Sequence, residues 1–275
     1  MRFERFKNIV QYNMEHQMTM KEKVQDFREK VGITQERNLP NLRLFSRDLL
    51  EKEHYMVVEI PFCDEEIGAL SFRKRNGGYI LLNSALPRIN VNFALAHELY
   101  HVLYQNKTYG RTVEQYISER YGDYEEEHEA NLFAGMLMMP STVFQYVMAR
   151  FLMEQSGKDT ELTVFVKLMS YFEVPYMAVL IRCCELKLFT HHEAIEHLLN
   201  VDKKMLEKEF ARLWLNEELL CPTFRDEYEK FRSFVIEKGA ENVESGLMSE
   251  YTTKKIIKKM DSIYHTIRRD GHAEN

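Results

Sequence analysis

Residues 96–101 read AHELYH and lie inside FALAHELYHVLY, a run that is apolar on most sides. Such a run is expected to form a buried helix. Each helical residue turns the side chain by about 100°, so His97 and His101, four apart, point nearly the same way. Two unpartnered imidazoles are costly to bury. A shared metal ion removes that difficulty, and Glu98 completes the spacing H-E-x-x-H, which sets a carboxylate beside the open coordination position. The fold must therefore bury this helix and still bring a third ligand to one edge of it. The acidic stretch DYEEEHEANLFAGMLMMP (123–140) offers Glu125, Glu126, Glu127, His128 and Glu129. A second histidine cluster, HHEAIEH (191–197), spaces its histidines five and six apart, so they diverge around a helix and read as a solvated face.

The chain has 275 residues, of which 45% are hydrophobic, enough for a substantial core. A net charge of −6 argues against a dedicated nucleic-acid binder, whose footprint is a basic face. The N-terminal stretch MRFERFKNIVQYNMEHQ interrupts its apolar residues with charges, unlike a signal peptide, and no apolar run is long enough to span a bilayer. Cys63, Cys183, Cys184 and Cys221 show no C-x-x-C spacing. They read as reduced thiols, and the chain is expected to be cytoplasmic and without a membrane partner.

Periodicity divides the chain. Residues 1–50 are helical in pattern. YMVVEI (55–60), ALSFRK (69–74) and YILLN (79–83) read as strands, and RNGG (75–78) carries the Asn-Gly hairpin signal. A small antiparallel sheet is expected there. Residues 112–123 are acidic and turn-like, and Pro140 stops the following helix. Helical pattern then continues to about residue 235, and KGAENVESG (238–246) reads as a linker. The last helix, TTKKIIKKMDSIYHTIRR, aligns Ile256, Met260, Ile263 and Ile267 on one side and is basic on the other. The expected class is α+β, mostly helical, in four parts: 1–50, a metal-binding core at 51–150, a helical region at 151–237, and a linker with a basic tail helix at 238–275.

AHELYH together with EHEANLFAGMLMMP resembles the ImmA/IrrE family of metallopeptidases, whose pattern is an H-E-L-G-H helix followed by E-x-x-A-N-x-F-A-x-x-L-L-M-P. The resemblance covers roughly residues 50–150. In this register Glu127 takes the place of the family's glutamate ligand, followed by Ala130, Asn131, Phe133, Ala134, Leu137, Met139 and Pro140. Asn131, one turn beyond Glu127, then stands where it can orient a ligand. His128 is the alternative ligand. Two positions depart from the pattern: Met138 replaces leucine, and Tyr100 stands where glycine is common, which brings close helix packing into question.

The resemblance implies a gluzincin-like zinc site of His97, His101 and Glu127, with Glu98 as general base. Manganese and iron suit the same donors. Tyr100, Tyr104, Tyr109, Tyr121 and Tyr124 are near enough in sequence to assist an oxyanion, and nothing ranks them. An extended protein substrate is expected along the hairpin's edge strand, YILLN or ALSFRK. The family further implies a helix-turn-helix repressor as substrate, an anti-repressor role common on phages and mobile elements. Residues 168–189 resemble the helix-turn-helix-like region that follows the zinc motif, but few basic residues suit it to packing or docking. A regulatory module that binds its partner without cutting it is the alternative function, and Glu98 discriminates against it.

Overall fold

The structure is a computed structural model that describes residues 3–33, 39, 42–74, 77–105, 125–157 and 159–268. The chain is mainly helical with one small sheet. Helices α1 (Phe3–Lys30) and α2 (Leu42–Lys52) precede strands β1 (Tyr55–Ile60), β2 (Ala69–Lys74) and β3 (Gly77–Asn83). Then come α3 (Arg88–Tyr104), α4 (Glu125–Met138), α5 (Ser141–Met153), α6 (Glu161–Phe172), α7 (Tyr176–Glu185), α8 (His192–Leu198) and α9 (Lys203–Arg212). A short 3-10 turn leads to α10 (Tyr228–Glu244) and α11 (Glu250–Ile267). The turn-like stretch expected at 112–123 lies outside the described residues, as do Arg75 and Asn76 of the hairpin signal.

The sheet order is β1-β3-β2. β2 and β3 pair antiparallel, as the Asn-Gly signal requires, with Leu70 opposite Leu81 and Phe72 opposite Tyr79. β1 pairs with β3 in parallel, Val58 opposite Leu81, so the sheet is mixed rather than wholly antiparallel. The reason is visible in the side chains: both faces of the sheet are apolar and both are covered. Ile80 and Leu82 face the large helical core, while Val58, Ile60, Leu70, Phe72 and Leu81 form a second core. That second core is closed by Tyr228 and Phe231 of α10 and Tyr264 and Ile267 of α11.

β3, the YILLN strand, is central, which removes it as an edge for an extended ligand. The free side of β1 is occupied by the chain just before α10: Glu227 N–H donates to Glu59 O at 2.8 Å, and Glu59 N–H donates to Glu227 Oε2 at 3.1 Å. The remaining edge is β2. Its approach is fixed by the fully buried Asn83, whose Oδ1 accepts from the N–H groups of Phe62 and Ala85 and whose Nδ2 donates to the carbonyls of Asp64 and Ile67. Beside β2, Gly68 lies against α3, where a Cβ would stand 3.0 Å from that of Ala94.

The linker expected at 238–246 is helical through Glu244. Gly239 does not break α10, because a Cβ there would meet Thr253 Cγ2 at 2.5 Å; the glycine lets α10 and α11 approach closely. On α11 three residues of the expected stripe, Met260, Ile263 and Ile267, pack on the second core, Tyr264 joins them, and Ile256 is exposed. α6 and α7 cross at 106°, an angle seen in helix-turn-helix units. The second of the pair is nevertheless buried through Val179, Leu180, Arg182 and Cys183, so it has no free face to place in a DNA groove. Among the described residues no single helix is long and apolar enough to cross a membrane.

Candidate metal centre

α3 is preceded by Pro87, whose fixed φ suits a helix start and whose missing N–H is not needed there. Ile89, Val91, Leu95, Ala96, Leu99 and Val102 bury its apolar sides. α4 crosses it, and the end of α4 is held by two buried arginines. Arg28 donates to Leu137 O at 3.1 Å, and Arg182 donates through Nε to Met139 O at 3.1 Å and through Nη2 to Ser141 Oγ at 2.8 Å. The bonds to Leu137 O and Met139 O satisfy carbonyls left without a helical partner where α4 ends.

His97, His101 and Glu127 converge. Their ligand atoms all lie within 4.8 Å of one another, the one such group among the described residues. The two Nε2 atoms are 2.9 Å apart, His97 Nε2 is 3.1 Å from Glu127 Oε2, and His101 Nε2 is 3.6 Å from Glu127 Oε1. With metal–donor bonds of roughly 2.0–2.1 Å, tetrahedral ligands stand about 3.3 Å apart, so the donors already have the spacing that zinc asks for. Donor chemistry agrees: imidazole and carboxylate suit zinc, and also manganese and iron.

The outer nitrogens are held as well. His97 Nδ1 lies 3.0 Å from Asn131 Oδ1, and His101 Nδ1 lies 2.6 Å from Gln105 Oε1. An Nδ1–H donating to each amide oxygen leaves the Nε2 lone pair for a metal. Gln105 was not among the residues singled out from the sequence, although it lies four beyond His101 and so continues the 97–101 stripe by one turn.

Electrostatics bind the three groups together. Burial opposes a charge on His101, but the Glu127 and Glu98 carboxylates outweigh it and raise the imidazole to about 9. Burial pushes Glu127 up, yet both imidazoles overcome it and hold the carboxyl well below the usual range. A metal ion bound there would displace the proton that the neighbouring carboxylates favour on His101.

Glu98 is 5% exposed, and its Oε2 is buried with no hydrogen-bond partner among the described residues. Buried carboxylate oxygens are normally satisfied, so an orphan beside three convergent ligands marks a place where a ligand or solvent proton is met. His128 turns away from the site; its ring lies 5.2 Å from that of Tyr12 on α1. Side-chain positions of Glu125 and Glu126 lie outside the described residues, as do Tyr109, Tyr121 and Tyr124.

Tyr100 does not hold the helices apart. It is 2% exposed and packs into the core on the side away from solvent, against Phe133 and Tyr104. The other histidine cluster behaves as a solvated surface: His191, His192 and His197 are exposed while Ile195 and Leu198 anchor α8.

No curated protein matches the chain. A family model does: Peptidase_M78, the IrrE N-terminal-like domain, matches residues 50–184, a span that contains the sheet, both ligand-bearing helices and α5 to α7. Over residues 50–184 the chain therefore belongs to the Peptidase_M78 family of IrrE N-terminal-like domains.

Proposed function

We propose that this metallopeptidase-family chain is a zinc-dependent, site-specific endopeptidase acting on a protein substrate. The observation that carries the proposal is the pairing of a three-donor cluster, His97, His101 and Glu127, with Glu98 Oε2, which has no hydrogen-bond partner among the described residues and lies on the helix of both histidines. His97 and His101 would hold the ion through Nε2 and Glu127 through its carboxylate, with Asn131 and Gln105 fixing the imidazoles from behind. A bound divalent ion of this kind supplies Lewis acidity, polarising a peptide carbonyl and making water acidic near neutral pH.

Glu98 is the general base in this account. Its buried oxygen accepts the proton of the attacking water and later delivers it to the leaving amine. β2 is the strand with an edge to offer, so an extended segment of substrate can lie beside it, next to α3. A module that only sequestered its partner would gain nothing from a buried carboxylate with an oxygen unsatisfied among the described residues, which costs stability. The reading of the substrate as a helix-turn-helix transcriptional repressor, with an anti-repressor role in the cytoplasm, rests on the family resemblance of AHELYH and EHEANLFAGMLMMP.

Incubation of the purified chain with a helix-turn-helix repressor encoded beside it, with and without a chelator, tests the proposal. Chelator-sensitive cleavage at one site is the expected result. A repressor that binds the chain and stays intact with zinc present would replace the peptidase with the sequestering module.

A further inference from the structure

The histidine pair on α3 is flanked on both sides. About 60° past His101 around the helix lies Glu98, and about 60° before His97 lies Tyr100. Glu98 faces the proposed chemistry. Tyr100 is fully inside, and its hydroxyl is a junction of three helices: it donates to Glu129 Oε2 of α4 and accepts from Lys23 Nζ of α1 at 2.7 Å. The Lys23 ammonium also lies 3.7 Å from Glu129 Oε1 and 4.7 Å from the centre of the Tyr100 ring.

Glu129 is two residues beyond Glu127 on the same rigid helix, so the two side chains leave α4 in nearly opposite directions. The neighbouring contacts between α3 and α4 on this side are aromatic packing, Phe133 against Tyr100 and Tyr104, with ring centres 5.7 Å and 5.5 Å apart. Apolar contact is non-directional and lets a helix rotate or slide by a fraction of an ångström. A hydrogen bond with an ionised partner on each side does not, because it is short and directional.

We propose that Tyr100, acting through Glu129 and Lys23, is a positioning residue that sets where the Glu127 carboxylate stands relative to His97 and His101. The proposal rests on the metal-binding role of those three residues. It makes α1, which lies outside the matched family span of 50–184, a working part of the metal centre. Tyr100→Phe keeps the ring in the core and removes only the junction.

Zinc affinity measured by chelator competition on the full chain, beside thermal unfolding of the metal-free protein, tests it. Tyr100→Phe and Glu129→Leu should each weaken zinc binding about tenfold, the size expected when an outer support of a ligand is lost. The double variant should bind zinc no more weakly than either single one, because both remove the same bond. Wild-type affinity in both single variants, with a lowered unfolding midpoint, would reduce the junction to a stability element and overturn the proposal. Losses that multiply in the double variant would also overturn it, since Glu129 would then act by its charge alone. Should Tyr100→Phe fail to fold, Lys23→Met with Glu129→Leu makes the same cycle, and independent effects there contradict the proposal. A wild-type chain that binds no zinc would instead remove the metal centre itself.

Discussion

His101 Nδ1 stands 2.6 Å from Gln105 Oε1 while its Nε2 stands 3.6 Å from Glu127, so one imidazole is held at both ends by side chains of different helices. His97 is also held at both ends, by Asn131 and Glu127, which both lie on α4. A ring gripped in this way has one orientation available before any ion arrives. That pre-organisation separates a binding site from two histidines that merely happen to be neighbours.

Removing the outer grip should therefore weaken the ion without unfolding the protein. Gln105→Leu is expected to cost 10–100-fold in zinc affinity, the usual range for such supports, with Asn131→Leu giving a similar loss. Isothermal titration of the metal-free variants measures it. Unchanged affinity in both would mean that the rings are held by packing alone.

Glu98 separates binding from chemistry. Glu98→Gln preserves size and removes the basic oxygen, so zinc content should stay at the wild-type level. Cleavage should fall by about 10²–10⁴-fold, the contribution of a positioned general base. Single-turnover cleavage of the cognate substrate reads the effect, and near wild-type rates would assign the base elsewhere.

How much of this was legible in the residues depends on the range of the interaction. The pairing of His97 with His101 follows from helical rotation, and Asn131 stands one turn from Glu127 by the same rule. Gln105 obeys that rule too, but it stands just past the helix end, where the helical spacing stops being a guide. Glu127 became identifiable only through the joint pattern of two motifs, since its acidic neighbours have the same chemistry. The parallel pairing of β1 was hidden because YMVVEI and YILLN are apolar on both faces, a pattern that fixes burial but not strand order. Gly239 misled in the 238–246 stretch because a glycine that breaks a helix and one that lets two helices touch look alike in one sequence. The Lys23–Tyr100–Glu129 junction joins residues 77 and 29 positions apart, beyond any local rule.

Acidity should couple to metal binding in a definite direction. His101 is raised in the folded, metal-free chain from 6.5 to about 9. Its ion pair with Glu127 thus stabilises the fold fully below the unfolded value, and that contribution is lost as pH rises through about 9. Glu127, held low by the imidazoles, contributes above its ordinary value of 4.5 and loses that contribution as the pH falls towards its lowered folded value. The unfolding midpoint of the metal-free protein should accordingly drop between neutral pH and about 9, and zinc loading near neutral pH should release about one proton per chain. Calorimetry in two buffers of different ionisation enthalpy counts that proton; no buffer dependence would contradict the charged state of His101.

The end of α4 depends on Arg182. Its guanidinium, 1% exposed, bonds Met139 O, Ser141 Oγ and Glu185, and Glu185 accepts from Asn13 Nδ2 at 2.5 Å. Arg182→Ala leaves the Glu185 carboxylate buried without its cation and should cost about 3–5 kcal/mol, measured by urea unfolding. A loss below about 1 kcal/mol would show that water replaces the guanidinium there.

The most direct measurement of the central claim is the zinc content of the purified chain after loading and removal of free metal, set beside that of His101→Ala and Glu127→Ala. One zinc per wild-type chain and essentially none in either variant is the result this account predicts. A wild-type chain that emerges without zinc, or variants that retain it fully, would contradict the convergence of His97, His101 and Glu127 on a single ion.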